Sequence, residues 1–355
     1  MAPSTPTPGQ VRNKLVATYQ KLPPLEKTIV QLFSVIYEPV SRSLFALCWN
    51  YLPEKTRQGK HFTVPNSKPY LDRLIELNVL VQYSGYGPQC NSLLSEIATR
   101  DAIQEKRFEP LVQAVQKGFP VPRRWKDGPI SFTNERQLIR EVRIGLYRND
   151  IKFINKQLED YYKYSYQKNQ LTLDDIYLQI CNNPFDPDWF RTLPKEIYEG
   201  ALISILNESM LEFAPADAAV ALLQEDVAKA GKDVSVLQAA MLLEQYLLRG
   251  QVQETQQLLD QVAEQYETQL AVFAGNLAVL QGDDNTAIAH YNKGLQGLKK
   301  GTGKRKIYFQ SIPGLFFILA LLKEGSPDRL HEAAEYTSIG RQAKHWLSPT
   351  YAMLE

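Results

Sequence analysis

Cysteine is scarce in this 355-residue chain, and the three that occur, Cys48, Cys90 and Cys181, are far apart and odd in number. Such a set does not fit a disulfide framework and indicates reduced, buried thiols, so we expect a cytoplasmic protein. Long apolar runs are also missing. The longest, residues 312–322, has about half of the ~20 residues that a membrane helix needs, and we expect a buried core helix there. The N-terminus does not have the pattern of a signal peptide.

Catalytic motifs are missing as well. The sequence has no paired Cys or Cys/His residues at zinc spacing, and no GxSxG, HExxH or GxGxxG motif. The run GLKKGTGKRK is not a phosphate-binding loop, because Leu298 and Arg305 stand where that motif needs glycine and Ser or Thr. We therefore expect an exposed basic loop at this run, and a chain that binds no metal or cofactor and is not an enzyme.

The composition is that of a globular protein, but the charge is unevenly divided. Apolar residues make up 44% of the chain and charged residues 22%. Residues 1–21, which open with a Pro, Ser and Thr-rich stretch, are expected to form a flexible tail. Residues 1–170 hold 25 Lys/Arg against 15 Asp/Glu, whereas residues 171–355 hold 15 against 24. Either the basic half approaches a polyanion, or the two halves attract each other or face different protein partners.

Residues 22–100 have the pattern of three helices and a hairpin. Apolar residues recur at helical spacing over residues 25–35, and Ser41 can cap a second helix. Asn66 or Ser67 can cap a third helix that starts at Lys68. A β-branched run at 79–83, a turn with two glycines and a short strand at 90–94 predict a hairpin.

This order of elements resembles a winged-helix domain, and the segment LDRLIELNVLVQYSGYG carries most of the resemblance. In winged helices that read DNA, the third helix enters the major groove and the hairpin contacts the backbone. By position, the resemblance implies DNA contacts from Asn66, Ser67, Lys68, Arg73 and Tyr86. A role as a protein-contact or spacer domain remains open, since this third helix offers just two cations.

Residues 101–193 form a basic segment that we interpret as a helical linker domain. The loop PVPRRWKDGP contains Arg123, Arg124 and Lys126, and a helix over residues 134–148, capped by Thr133, carries Arg140 and Arg143. Cations mixed with aromatic residues suit a groove for a nucleic-acid strand. In the alternative interpretation the aromatic residues, such as Tyr162 and Tyr166, are core and the cations are its solvated side.

Residues 194–355 are expected to form helix pairs. The residues Gly275, Gly282, Ala287, Tyr291 and Gly294 follow the tetratricopeptide pattern, in which small residues let two helices approach and an aromatic residue fills the gap to the next pair. Related offsets occur at Gly250, Thr255, Leu259 and Val262, at Gly325, Leu330, Ala334 and Thr337, and more faintly at Ala214, Ala219 and Leu223. The fold class is therefore mainly α, with a tetratricopeptide-like α-solenoid that presents a surface to a protein partner.

Three further phrases, LFSVIYEPVSRS, NPFDPDWFRTLP and GLFFILALLKEGSPDRL, resemble the N-terminal region of large bacterial Swi/Snf-family helicase-like ATPases. The resemblance implies an ATPase motor downstream of residue 355 and no catalytic residue within this chain. The sequence thus predicts a regulatory module that contacts nucleic acid through its basic half and a partner or the motor through its repeats. The alternative is a protein-interaction scaffold without nucleic-acid contact.

Overall fold

The computed structural model describes residues 7–53, 61–126, 128–164, 171–212, 214–303, 308–309, 311–342, 350 and 353–354. Within them the protein is mainly helical, as predicted, with 74% helix and a two-stranded sheet. The chain divides into two compact units, Met1–Glu208 and Ser209–Glu355. In the part of the chain described, no helix has the length and apolar character needed to cross a lipid bilayer.

The first unit begins with short helices and a hairpin and continues with further helices. Its elements are α1 (Pro8–Gln20), α2 (Pro24–Ile36), α3 (Arg42–Trp49), α4 (Val64–Glu76), β1 (Leu80–Tyr83), β2 (Gly87–Cys90), α5 (Ser92–Gln104), α6 (Phe108–Gly118), α7 (Glu135–Arg148), α8 (Ile151–Tyr164), α9 (Leu173–Cys181), α10 (Pro187–Phe190) and α11 (Lys195–Leu211). The boundary between the units falls in the last turn of α11.

We call residues 22–100 the head. Its helices α3 and α4 begin where side chains accept hydrogen bonds from the first backbone N–H groups. Ser41 caps α3 as predicted, since its hydroxyl accepts a hydrogen bond from the Leu44 amide. Helix α4 starts one turn earlier than predicted, because Thr63 and Asn66 form a reciprocal capping box. Pro65 is accommodated in this first turn, where a helix has no use for a backbone donor. Asn134, and not Thr133, caps α7.

Helix α1 occupies residues that the sequence analysis assigned to a flexible tail. A capping box of Thr7 and Gln10 opens the helix, and Leu15 and Tyr19, four residues apart, are buried. The Tyr19 hydroxyl donates a 2.6 Å hydrogen bond to Asp101 on α5. Thr7 and Pro8 therefore form a helix N-terminus, and the described residues 8–20 are part of the folded unit, which corrects the expectation of a tail for them.

The predicted hairpin is present and packs tightly. Strands β1 and β2 are antiparallel, with Leu80 opposite Cys90 and Tyr83 opposite Gly87. The Val40 amide donates a 3.1 Å hydrogen bond to the carbonyl of Pro88 in β2. A Cβ placed on Gly87, which has φ +115°, would lie 2.1 Å from the Val40 oxygen. The second strand ends at Cys90, earlier than predicted, because Asn91 caps α5.

One hydrophobic core joins the head to the basic segment that follows it. The core combines Phe33, Phe45 and Trp49 of the head with Leu111 of α6 and Ile144 of α7, all buried. The predicted boundary near residue 100 therefore does not separate two cores. Residues 182–186 are also tied to the head, through hydrogen bonds from Asn183 to the Ser92 carbonyl (2.8 Å) and from Arg100 to the Pro184 carbonyl (3.0 Å).

The second unit is built from consecutive helices that pack on one another. They are α12 (Asp217–Ala230), a 3-10 turn (Gly231–Asp233), α13 (Val236–Leu248), α14 (Val252–Tyr266), α15 (Ala271–Gln281), α16 (Asp284–Thr302), α17 (Ser311–Glu324) and α18 (Pro327–Gln342). The apolar run at 312–322 lies in α17, with Phe317, Ile318 and Leu321 fully buried, as predicted. The basic run was expected to be a loop, yet its first half is the end of α16. Residues 304–307 lie outside the described part.

The small and aromatic positions of the proposed repeat are well placed in α15 and α16. Gly282 ends α15 in a left-handed conformation, and Ala287 and Tyr291 are fully buried. A Cβ on Gly275 would lie 2.9 Å from the Tyr291 ring, so the glycine permits this close packing. In α18 the proposed register holds at Thr337, which is buried, but not at Leu330 and Ala334, which are exposed; Ala333 and Tyr336 complete the buried face.

Candidate nucleic-acid interface

The predicted DNA-contact residues of α4 divide into structural and exposed ones. Asn66 completes the capping box and donates to the His61 carbonyl (2.9 Å). Ser67 is fully buried and donates to the Val64 carbonyl (3.0 Å), which corrects its assignment as a contact residue. Lys68 is exposed. The Arg73 side chain is 54% exposed and forms an ion pair with the buried Glu26 (2.9 Å).

Acidic side chains reduce the positive charge on α4. Asp72 pairs with Arg42 of α3 at 2.5 Å, and Glu76 is exposed. Since Arg73 is also paired, Lys68 is the remaining α4 cation with no acidic partner among the described residues. Helix α4 can therefore contact a phosphate, but it does not form a strongly basic surface by itself.

Two exposed tyrosines and a neighbouring arginine lie at the hairpin, and of these the sequence analysis selected only Tyr86. Tyr86, which it did select, lies in the turn and is 72% exposed, and Tyr83 in β1 is 38% exposed. The exposed Arg136 of α7 places its guanidinium 5.6 Å from the centroid of the Tyr83 ring. Arg136 also donates to the Gln89 side chain of β2 (3.4 Å). We call Lys68, Arg73, Tyr83, Tyr86 and Arg136 the hairpin region.

Two of the predicted contact residues, Arg140 and Arg143, are instead interior. Arg140 is 1% exposed and pairs with Glu38 (3.1 Å) and Glu141 (2.8 Å). Arg143 is 2% exposed and holds both carboxylate oxygens of Glu96, at 2.8 and 3.0 Å. No nucleic acid can reach these guanidinium groups in this structure. Both drop out of the candidate interface.

The surroundings of Arg143 form a closed polar network. Arg143 also donates to the Ser34 carbonyl (2.9 Å), and its guanidinium lies 4.1 Å from the Tyr37 ring centroid. Burial acts to lower the pKa of Arg143, but Glu96 together with Tyr37 and Tyr147 outweighs burial, and the pKa is raised. Burial, and then Glu96, raise the pKa of Tyr147, whose hydroxyl donates to Glu96 (2.7 Å). Burial likewise raises the pKa of Glu38 despite the nearby Arg140.

The loop with the remaining predicted contact residues is exposed and ordered by its own hydrogen bonds. Arg123 donates to the Gly128 carbonyl (2.8 Å), and Arg124 donates to the Tyr164 carbonyl (3.3 Å). The Arg124 guanidinium lies 4.8 Å from the Tyr164 ring centroid, and Lys126 is exposed. Between them Trp125 is 60% exposed. We call the described residues 122–126 and 128–131 the Trp125 loop. The sequence analysis noted cations mixed with aromatic residues here, but it selected only the cations as contacts and not Trp125.

The aromatic residues of α8 are partly buried and partly exposed. Tyr162, expected to be core, is 40% exposed and donates to the Leu171 carbonyl (3.1 Å), while Tyr161 beside it is buried. Tyr166 lies outside the described residues. On α8, Tyr161 therefore packs in the interior, whereas Tyr162 is accessible at the surface.

The second unit contains a groove between α14, α15 and α16. Its volume is about 260 Å³, and its apolar lining includes Leu259, Val262, Leu270, Ala274 and Leu277. His290 also lines it, and burial followed by the nearby Lys293 lowers the pKa of this histidine. The groove can accept an apolar side chain from a partner.

Comparisons with protein-family models, with curated proteins and with solved structures found no match to this chain. Among the described residues, no group of three or more His, Cys, Asp or Glu side chains is placed to hold a metal ion.

Proposed function

We propose that the chain is a non-catalytic, nucleic-acid-associated regulatory module whose hairpin region contacts duplex DNA. The observation that carries the proposal is the hairpin with its exposed Tyr86, its Tyr83 ring and the Arg136 guanidinium beside that ring. Exposed aromatic rings and a cation on a hairpin suit contacts with sugar and phosphate. The hairpin follows directly after α4, which carries Lys68.

The order of elements in residues 22–100 supports this proposal. Three helices, α2, α3 and α4, precede the hairpin, as in a winged-helix domain. The hydrogen bond from Val40 to Pro88 brings the segment between α2 and α3 alongside β2. The charge of the first unit is favourable but small: it holds 27 Lys/Arg against 22 Asp/Glu.

We further propose that the second unit is a tetratricopeptide-like array, that the protein is cytoplasmic, and that it is the N-terminal part of a larger bacterial helicase-like ATPase. The close packing of Gly275 on Tyr291 supports the first point, and the phrases that resemble Swi/Snf-family proteins support the last. Burial raises the pKa of the thiols of Cys48, to about 11, and of Cys90, to about 12. Such thiols are poor nucleophiles, which fits a chain without catalysis. The reading frame downstream of Glu355 tests the assignment to an ATPase.

Fluorescence anisotropy with a labelled DNA duplex tests the DNA contact. We expect the full chain to bind at ~50 mM salt and much more weakly at ~200 mM, because phosphate contacts release counterions. Arg136→Glu should weaken duplex binding about tenfold or more and lower the salt dependence by roughly one phosphate contact. Lys232→Glu, an equal charge change at an exposed site of the second unit, is the control and should bind as the parent does. Absence of duplex binding at the lower salt would remove the proposal.

The α14–α16 groove favours a second candidate function, a protein-interaction scaffold with no nucleic-acid contact. Affinity capture with the full chain should then recover a partner that Leu259→Glu, within the groove, no longer retains. Leu237→Glu, at a 51% exposed position of α13, is the matched control. Equal recovery by the parent chain and by Leu259→Glu would count against the groove as the binding site.

A further inference from the structure

We propose that the Trp125 loop is a separate contact for unpaired nucleotides, on which one base stacks against the Trp125 indole. This inference rests on the proposed function in that both involve nucleic acid, but it concerns different residues and a different form of the ligand. The indole is one of the largest apolar surfaces left open in the described part of the first unit, at 60% exposure.

The backbone holds the loop as a small hairpin with Trp125 at its tip. Arg123 and Ile130 form an isolated antiparallel bridge. The Ser131 amide donates to the Pro122 carbonyl (2.8 Å), and the Arg124 amide donates to the Pro129 carbonyl (3.1 Å). The turn closes through a hydrogen bond from the Gly128 amide to the Trp125 carbonyl (2.9 Å). Pro122, Pro129 and these three hydrogen bonds, two of which form the bridge, order the loop before any ligand arrives, which lowers the entropic cost of binding.

The indole itself is fixed on one side. A Cβ on Gly128 would lie 2.7 Å from the indole, so the ring rests on this glycine, where any side chain would displace it. Packing on one side and exposure of the remainder give a rigid platform. A base that covered the open surface would gain about 1–3 kcal/mol of stacking energy.

Cations lie in the loop and on α8, which the loop contacts through Arg124. Arg124 lies over the Tyr164 ring (4.8 Å to the centroid), and Lys163 approaches the same ring at 5.4 Å. Lys126 follows Trp125 directly and is exposed. The sequence also places one acid, Asp127, in the loop; it lies outside the described residues. The balance remains positive, as a phosphate backbone requires.

These features favour an unpaired strand over a duplex. A ring that stacks on an aromatic side chain must offer a free face, and bases within a duplex have both faces covered by their neighbours. Sequence selectivity is not expected, because every base has such a face. An exposed indole with cations near it in the sequence could instead bind an acidic protein surface or an anionic lipid surface. The experiment includes a probe for each.

The test uses the full chain and fluorescence anisotropy with a labelled 12-nucleotide single strand and a duplex of the same sequence at ~50 mM salt. We expect Trp125→Ala to lower single-strand affinity about 5- to 100-fold, the range that the loss of one stacked base gives. Duplex affinity should stay within twofold, and Trp125→Phe should restore most of the single-strand affinity. Arg136→Glu is the reciprocal variant, which should weaken the duplex far more than the single strand.

The two arms separate the two proposals. If the parent chain does not bind the single strand, or if Trp125→Ala binds it as the parent does, the loop proposal is overturned while the duplex arm still decides the hairpin proposal. If the duplex is not bound but the Trp125-dependent single-strand binding is present, the loop proposal stands alone. Equal losses on both ligands, or Trp125-dependent binding to poly-glutamate or to phosphatidylserine vesicles with no single-strand binding, would also overturn it.

Discussion

At the residue scale, the fate of the arginines on α7 shows where sequence reasoning stops. Arg136, Arg140 and Arg143 lie three or four residues apart on one helix, and a sequence shows all of them as surface cations. The structure leaves Arg136 exposed and buries the other two. Their carboxylate partners are distant along the chain: Glu38 lies between α2 and α3, 102 residues from Arg140, and Glu96 lies in α5, 47 residues from Arg143. Such distant pairings cannot be derived from local patterns.

The buried and exposed arginines of α7 should differ in their effect on stability. Arg143→Leu leaves the fully buried Glu96 without its guanidinium and should lower the free energy of unfolding by about 3–5 kcal/mol. Arg148 also holds a glutamate with two hydrogen bonds, to Glu109, but that pair is open to water. We expect Arg148→Leu to cost less than about 1 kcal/mol. Urea unfolding of both variants checks this. Equal costs would contradict the assignment of Arg143 to the interior.

At the scale of elements, capping residues and hydrophobic spacing predicted most helices of the head. Ser41 and the apolar positions of residues 25–35 were sufficient to place α3 and α2. The sequence did not predict α1, because its first residues are rich in Pro and Thr, which is typical of a tail. The start of α4 was predicted one turn too late, because Pro65 follows the Thr63 cap and proline is typical of a loop. In α18 the expected position Thr337 is buried, but the rest of the buried face is formed by Ala333 and Tyr336 and not by Leu330 and Ala334.

The hairpin offers a test at this scale, since its two glycines have different reasons to be glycine. Gly85 has φ +79° and open space around its α-carbon, so Gly85→Ala should cost about 1–2 kcal/mol, the strain of a left-handed residue. Gly87→Ala adds a clash with the Val40 carbonyl and should cost about 3 kcal/mol or more. Thermal unfolding of the pair checks the order. A Gly87→Ala protein as stable as Gly85→Ala would show that β2 does not press on residue 40.

At the scale of the whole molecule, the sequence predicted the mainly helical class but not the grouping of its segments. Charge suggested a division near residue 170, and motifs suggested boundaries near 100 and 194. In the structure the chain divides between residues 208 and 209. Apolar contacts and buried ion pairs keep the basic segment in one unit with the head. Of the 27 Lys/Arg in the first unit, Arg100, Arg140 and Arg143 are buried, so charge counted along a sequence overstates the charge that a ligand meets.

The division into two units predicts separate local stabilities. Hydrogen exchange of the full-length Arg143→Leu protein should show faster exchange in α5 and α7, which hold the broken pair. Amides of α15, α16 and α17, which have their own core around Tyr291 and Phe317, should exchange as in the parent chain. Mass spectrometry of proteolytic fragments gives both readouts in one experiment. A matching acceleration in α15–α17 would show that the chain unfolds as one cooperative body.

The bidentate bond between Glu96 and Arg143 also has an evolutionary consequence. A lineage that loses one of these charges carries a destabilised protein until the other position changes too, so the route between the two tolerated states passes through a fitness valley. Positions 96 and 143 should therefore covary in an alignment of homologues. Position 148, whose ion pair faces solvent, should vary independently of its partner.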